Sequence, residues 1–274
     1  MKPLPAALVT GPPLLAAIAA WSPLWLAAAT AGAALLLAAA PPPRRLYAVT
    51  AIGSGLVVFA INPFVSVQGL TLLWQGPHIP ILDTQITLEE VVYGAGAGMR
   101  VAASALAVAA FVRLADPDLL LRGFARVAPR SAMIAALATR MLPALERDAA
   151  GIVTAARTRA ARMSAPRTAA GLLGPLLGSS LERSLAVAEA MEARGYGAAE
   201  RTRAPERAMT RREWALAAVG TCALALVTVG LLSGATDFRY YDTLGDPWQP
   251  TAIAGAGALT ALLAGAAGVV RWPR

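Results

Sequence analysis

Charge is what this sequence lacks most. Only 15 % of its 274 residues are Asp, Glu, Lys or Arg, whereas 57 % are hydrophobic. A soluble domain usually carries about 25 % charged residues. Several apolar runs also approach the length of about 20 residues that a membrane-spanning helix needs. The chain is therefore predicted to be an integral membrane protein in the lipid bilayer.

Residues that serve metal binding or catalysis are also scarce. His78 is the only histidine, and Cys222, which lies in an apolar run, is the only cysteine. One cysteine cannot build a disulfide framework or a cysteine-based metal site, and one imidazole cannot build a typical metal site. No GxxxxGK[ST] sequence occurs, so the chain is not expected to bind or hydrolyse ATP itself. We expect no catalytic residues, no metal site and no cofactor.

Apolar runs of membrane length define the predicted fold class. They cover 5–21, 23–40, 46–64, 91–112, 213–233 and 251–270. Ser22-Pro23 separates the first two, because proline disfavours a helical conformation in the residue before it. The N-terminus could also imitate a signal peptide, but a second apolar run follows at once and favours a helical hairpin. We predict an all-α polytopic membrane protein with about six transmembrane helices.

Residues 65–90 are neither long nor apolar enough to cross a membrane. Their partial alternation and the Gly76-Pro77 pair predict a short hairpin or a re-entrant piece outside the bilayer.

Unequal charge in the loops predicts the orientation. Residues 113–212 hold 17 arginines and 9 acidic residues, a net charge of +8, which equals that of the whole chain. Residues 65–90 contain no Lys or Arg, and 234–250 contain a single Arg against three Asp. Because positive charge collects on the cytoplasmic side, both termini and 113–212 are predicted to be cytoplasmic, in a multi-pass protein of the cell membrane.

Three regions follow from this orientation. Residues 1–112 are predicted to form transmembrane helices 1–4 with an extracytoplasmic loop at 65–90, and 213–274 to form helices 5 and 6. The cytoplasmic region 113–212 lies between them. Its basic stretch at 201–212 could simply attract anionic lipid headgroups.

The cytoplasmic region shows two amphipathic helices. Apolar residues recur at helical spacing over 130–162, where Pro143 is predicted to kink or split the helix. After the apolar turn "AAGLLGPLLGSS", a second helix is expected to begin with Ser179 or Ser180 as its N-cap. Such helices lie on a bilayer, pack on each other or enter a groove of a partner protein.

The second helix ends in "MEARGYG" (191–197). An arginine that complements the helix dipole and a glycine in a left-handed cap are common at ordinary helix ends. However, "TLEEVVYGAGAGMR" (87–100), "LADPDLLLRGF" (114–124) and "MLPALERDAAGIVTAARTRAAR" (141–162) accompany it. With these stretches the sequence resembles the transmembrane T-component of energy-coupling factor (ECF) transporters, which import vitamins, cobalt or nickel.

The resemblance implies two Ala-Arg-Gly motifs at the ends of cytoplasmic coupling helices. The second motif is Ala193, Arg194 and Gly195. The first is degraded, and the family's spacing aligns it with Thr158, Arg159 and Ala160. Ala161-Arg162-Met163 is an alternative register, so Arg162 is a second candidate for the first-motif arginine.

The resemblance also implies the partners. In the family, two ABC ATPase subunits each receive one motif-bearing helix end in a surface groove. A separate small membrane protein, the S-component, binds the substrate and packs against the T-component. The chain would then be a transport subunit and not an enzyme, with ATP hydrolysis only in its partners and no nucleic acid among them.

The span at 91–112 contains an arginine, Arg100, that is costly inside a membrane. It is expected to be functional or paired, unless it is an interfacial arginine at a helix end. Gly94, Gly96 and Gly98 permit close helix packing. We predict S-component contact along this span, at Gly94, Gly98 and Arg100.

Two other functions compete with this one. A membrane permease subunit of another ABC transporter class would carry its own substrate path, with a single coupling helix and polar residues in its spans. A membrane-embedded enzyme would need a cluster of titratable residues at the surface. His78, Asp83, Glu89 and Glu90 are a thin basis for one.

Overall fold

Helices make up almost all of the regular structure. A computed structural model of the chain describes residues 1–62, 71–75, 85–158, 173–196, 207–241, 245–246 and 248–272. The elements are α1 (Pro3–Ala19), α2 (Pro23–Ala39), α3 (Arg45–Ile61), β1 (Leu72–Gln75), β2 (Gln85–Thr87), α4 (Leu88–Leu114), α5 (Pro117–Phe124), α6 (Pro129–Thr158), α7 (Leu173–Ala193), α8 (Arg211–Leu232) and α9 (Pro250–Arg271). The predicted all-α fold class is confirmed.

Six apolar helices, α1–α4, α8 and α9, belong to one compact unit formed by Met1–Leu120 and Ala208–Arg274. Each coincides with one of the six predicted spans. Among the described residues, α4, α8 and α9 are long and apolar enough to cross a membrane, while α1, α2 and α3 have 17 residues each. Seventeen helical residues extend about 26 Å, a little less than the hydrocarbon thickness of about 30 Å. Six crossings therefore stay a prediction.

Small residues let these helices approach closely. A Cβ atom on Gly98 of α4 would lie 2.7 Å from the carbonyl oxygen of Gly55 in α3, and one on Gly55 would lie 2.6 Å from that of Gly98. A Cβ on Gly220 of α8 would likewise lie 2.5 Å from the carbonyl oxygen of Leu8 in α1. Within α1 this Leu8 oxygen would normally accept a hydrogen bond from the N–H of residue 12, but that residue is Pro12, which has no N–H. Backbone contacts at small residues are how helices commonly associate in lipid.

Hydrogen bonds gather four chain segments at one end of this unit. The N–H of Asp116 donates to the carbonyl oxygen of Met1, and that of Lys2 donates to the Glu213 carboxylate. Arg212 donates to the carbonyl oxygen of Trp272. The two ends of the chain thus meet the end of α4 and the start of α8, as an even number of spans requires.

The α1–α2 turn marks the other end. The N–H groups of Trp21 and Ser22 both donate to the carbonyl oxygen of Thr236, at 3.0 and 2.7 Å. The helices break at Ser22-Pro23 as predicted, and Pro23 opens α2. Strands β1 and β2 pair antiparallel as the predicted hairpin does, whereas its Gly76-Pro77 turn lies outside the described residues.

Residues Leu121–Arg207 form a second unit that contains α6 and α7. The start predicted for the second helix is wrong there, and of the two effects predicted for Pro143, a kink or a split, the split does not occur. Helix α6 runs unbroken through Pro143, so it is not split. Helix α7 begins at Leu173, not at Ser179 or Ser180, whose hydroxyls donate to carbonyls within the helix. Pro175 fits inside the first turn because the first N–H groups of a helix have no intrahelical acceptor.

Candidate coupling site

The end of α7 is a regular Schellman cap. The N–H of Tyr196 donates to the carbonyl oxygen of Met191, and the N–H of Gly195 donates to that of Glu192, both at 2.9 Å. These two bonds define the motif, which needs a left-handed residue at the glycine position. Gly195 has a φ of +73°, a conformation that a residue with a Cβ atom adopts at a cost. The glycine therefore terminates the helix.

The capped end is also open to a partner. The Arg194 side chain and Gly195 are exposed, and a Cβ atom on Gly195 would meet no atom of the described chain within 4 Å. The glycine is thus required by backbone conformation and not by crowding inside the chain. The space beside it can admit the backbone or side chains of another protein.

The first motif is described only at its first residue. Thr158 is the last described residue of α6; it is exposed, and its hydroxyl donates to the carbonyl oxygen of Ala155. Arg159, Ala160 and Arg162 lie outside the described residues. Helix α6 therefore reaches the first residue of the first motif, as helix α7 reaches Ala193, the first residue of the second motif.

An ion pair joins the two helices of this unit. Arg183 Nη2 of α7 lies 2.8 Å from Asp148 Oδ2 of α6. The two residues are 35 positions apart, and no helical periodicity in the sequence pairs residues at such a separation.

One face of α7 carries exposed apolar side chains at four-residue intervals. They are Leu173, Leu177, Leu181 and Leu185, which are 56–65 % exposed. Residues four apart are neighbours on a helix surface, so the leucines form a continuous stripe. A stripe of this kind is typical of a surface that another protein or a membrane covers.

In the membrane unit, Arg100 is paired within the chain. Its Nη2 donates to the carbonyl oxygen of Ala20 at 2.8 Å, and its guanidinium lies 4.8 Å from the centre of the Trp21 ring. The Tyr240 hydroxyl donates to the carbonyl oxygen of Trp21 at 2.6 Å. Arg100 and Tyr240 therefore bond the carbonyl oxygens of two neighbouring residues, Ala20 and Trp21, at the α1–α2 turn.

Tyr240 lies in the loop between α8 and α9 and was not singled out from the sequence. Burial raises its pKa to about 12; the nearby Arg100 charge lowers the value and Tyr93 raises it further. The phenol is therefore protonated at neutral pH and stays a hydrogen-bond donor. Trp21, Tyr93 and Tyr241 line an open depression around it, of about 490 Å³. No motif or charge pattern in the sequence marks this cluster.

The glycines of α4 face other parts of the same unit. Gly98 contacts Gly55 and Phe59 of α3, and Gly94 lies against Asn62. A Cβ atom on Gly96 would lie 2.7 Å from the Tyr240 hydroxyl. The predicted close packing therefore occurs within the chain, and S-component contact along α4 stays a prediction.

A comparison with protein families bears on these sites. Residues 8–204 match the family model described as cobalt transport protein, CbiQ. The chain belongs to the cobalt transport protein family. It is thus a membrane component of cobalt or ECF-type transport. The matched range runs from α1 through α7 and includes Arg100 and both motif positions. A search of curated proteins found no match.

Proposed function

We propose that the chain is the transmembrane coupling subunit of an ECF-type ABC importer. It passes ATP-driven motion from two ATPase subunits to a separate membrane S-component that binds a vitamin or a transition-metal cation. The observation that carries the proposal is the Arg194 side chain, exposed on a firmly capped helix beside open space at Gly195.

The chemistry of this end suits a groove lined with carboxylates. A guanidinium presents N–H donors in a planar fork that matches a carboxylate bidentately. The Schellman cap fixes the last turn, so the fork starts from a defined backbone position. Gly195 then lets a partner approach the backbone closely. Together these features allow a specific contact that can transmit force along α7.

The leucine stripe of α7 supports a membrane-protein partner. Leu177, Leu181 and Leu185 offer exposed apolar area along one face of the helix. We assign this stripe to the S-component or to the bilayer beside it, and the arginine-bearing end to an ATPase. The coupling unit and both termini would be cytoplasmic, as the net charge of 113–212 predicts.

Capture of the ATPase pair tests the proposal. The full-length chain, immobilised in mild detergent, is offered the two ATPase subunits. Arg194→Ala should weaken binding by about 2–5 kcal/mol, because a buried charge-assisted contact is lost. Arg194→Glu should be worse, because a carboxylate would face carboxylates. ATPase activity should be absent from the chain alone and appear only with the partner subunits.

Arg140→Ala is the matched control, since Arg140 is also an exposed arginine of a coupling helix, α6, and stands 18 positions before Thr158 in that helix. It should leave capture unchanged. Substrate uptake into vesicles should follow capture across the series. Full capture and uptake in an Arg159→Glu, Arg162→Glu, Arg194→Glu triple variant would contradict the proposal and reduce "MEARGYG" to a capped helix.

A further inference from the structure

The Asp148–Arg183 ion pair is a defined contact in a loosely packed unit. The two side chains are 28 % and 44 % exposed, and they meet at 2.8 Å. No described residue of α7 is buried, so apolar packing does little to fix how α7 crosses α6. A hydrogen-bonded ion pair has a preferred geometry and acts at a single point. It can therefore set the point at which the helices meet.

This point lies equally far from the two helix ends that lead to the motifs. Thr158, the first residue of the first motif, follows Asp148 by ten positions. Ala193, the first residue of the second motif, likewise follows Arg183 by ten positions. At a rise of 1.5 Å per residue, each arm is about 15 Å long. Equal numbers of residues also turn each arm through the same angle, since a helix has 3.6 residues per turn.

Equal arms have a consequence for symmetry. Two helices that touch at one point can be exchanged by a two-fold rotation about an axis through that point. The same rotation exchanges any residue of one helix with the residue of the other that lies equally far from the contact along its helix and at the same angle about the helix axis. The first residues of the two motifs, Thr158 and Ala193, are such a pair, although they belong to one chain without sequence repeats. Two like subunits most often associate with two-fold symmetry, which places two copies of one groove about such an axis.

We infer that Asp148 and Arg183 are positioning residues, which present the two arginine-bearing ends as a two-fold related pair to two ATPase subunits. The inference rests on the proposed function. It also favours one register of the first motif. Arg159 follows Asp148 by 11 residues, as Arg194 follows Arg183, whereas Arg162 follows it by 14. Arg159 is thus the counterpart of Arg194.

A distance measurement on the full-length chain alone tests the role of the ion pair. Spin labels are placed at Thr154→Cys and Glu189→Cys, each four residues before a motif, in a Cys222→Ser background. Asp148→Arg or Arg183→Asp should shift or broaden the distance distribution by repulsion. The double exchange, Asp148→Arg with Arg183→Asp, should restore it. Arg147→Glu is the control, because Arg147 donates to Pro143 within its own helix, and it should change nothing.

Capture of the ATPase pair gives the second readout. Each single reversal should lower capture about fivefold, the scale of one exposed ion pair, and the exchange should recover it. Arg159→Ala should weaken capture about as much as Arg194→Ala, and Arg162→Ala should not. A larger loss with Arg162→Ala would overturn the register. A normal distance distribution in both reversals would overturn the positioning role.

Failure of the inference and failure of the proposed function give different results. If Arg194→Ala weakens capture while both reversals leave the distance unchanged, only the positioning role is wrong. If the reversals change the distance but no arginine variant changes capture, the coupling function is wrong, and the ion pair sets only how the two helices cross.

Discussion

At the scale of single residues, the absence of a side chain matters as much as its presence. The contact between α3 and α4 depends on Gly55 and Gly98, whose backbones approach too closely for a Cβ atom on either one. Neighbouring Gly53 has no atom within 4 Å of a Cβ position. Within helix α3, Gly55 is therefore required by a close backbone contact and Gly53 is not, a difference that the sequence does not show.

Gly98→Ala should destabilise the chain by about 1–3 kcal/mol, because the added methyl group forces the two backbones apart. Gly53→Ala, the matched control, should be neutral or slightly stabilising, since alanine is the better helix former. Thermal unfolding in detergent, followed by circular dichroism, measures both. Equal melting temperatures for the two variants would show that the close approach of Gly55 and Gly98 contributes nothing.

Arg100 allows a second test at this scale. Its bond to the Ala20 carbonyl and its position over Trp21 belong to the chain itself. Arg100→Ala should therefore lower the stability of the isolated chain by about 1–3 kcal/mol, because a polar group loses its partner. An arginine that served only a partner protein would leave the melting temperature of the isolated chain unchanged, and that result would favour the predicted S-component contact over a structural role.

At the scale of elements, hydrophobicity predicted the helices well and their ends less well. Each apolar run became a helix because runs of this length have few other stable forms in lipid. The prediction of Ser179 or Ser180 as the N-cap of α7 was wrong, because a serine inside a helix can instead donate its hydroxyl to a carbonyl of the preceding turn. Pro143 did not split α6, since a long helix can survive the loss of one hydrogen bond. The end of α7 at Gly195 could be predicted from the sequence because glycine is the usual residue in a left-handed C-terminal cap.

Gly195→Ala tests that helix end. A residue with a Cβ atom in the left-handed region costs about 1 kcal/mol or more, so the last turn of α7 should fray. Hydrogen exchange of the amides of Gly195 and Tyr196 should then speed up several-fold. Gly178→Ala, inside α7 with open space around it, is the control and should slow exchange slightly or leave it unchanged. Unaltered exchange in Gly195→Ala would mean that the cap does not hold the end.

At the scale of the whole molecule, the decisive contacts join distant parts of the sequence. Tyr240 bonds the Trp21 carbonyl across 219 positions, and Lys2 bonds Glu213 across 211. No local pattern announces such pairs, so the sequence could indicate the number of helices but not which ones meet. The structure brings both chain ends to one end of the helical unit, in agreement with an even number of spans.

Labelling of single cysteines in intact cells tests which end faces the cytoplasm. In a Cys222→Ser background, Asp246→Cys should react with a membrane-impermeant maleimide from outside, because the acidic α8–α9 loop is predicted to be extracytoplasmic. Glu189→Cys, on the exposed surface of α7, should react only after the cells are opened. The opened cells are the control that both sites are reactive. Labelling of Glu189→Cys from outside would put α7 on the side of the membrane that has no ATP, and Arg194 could then not meet an ATPase.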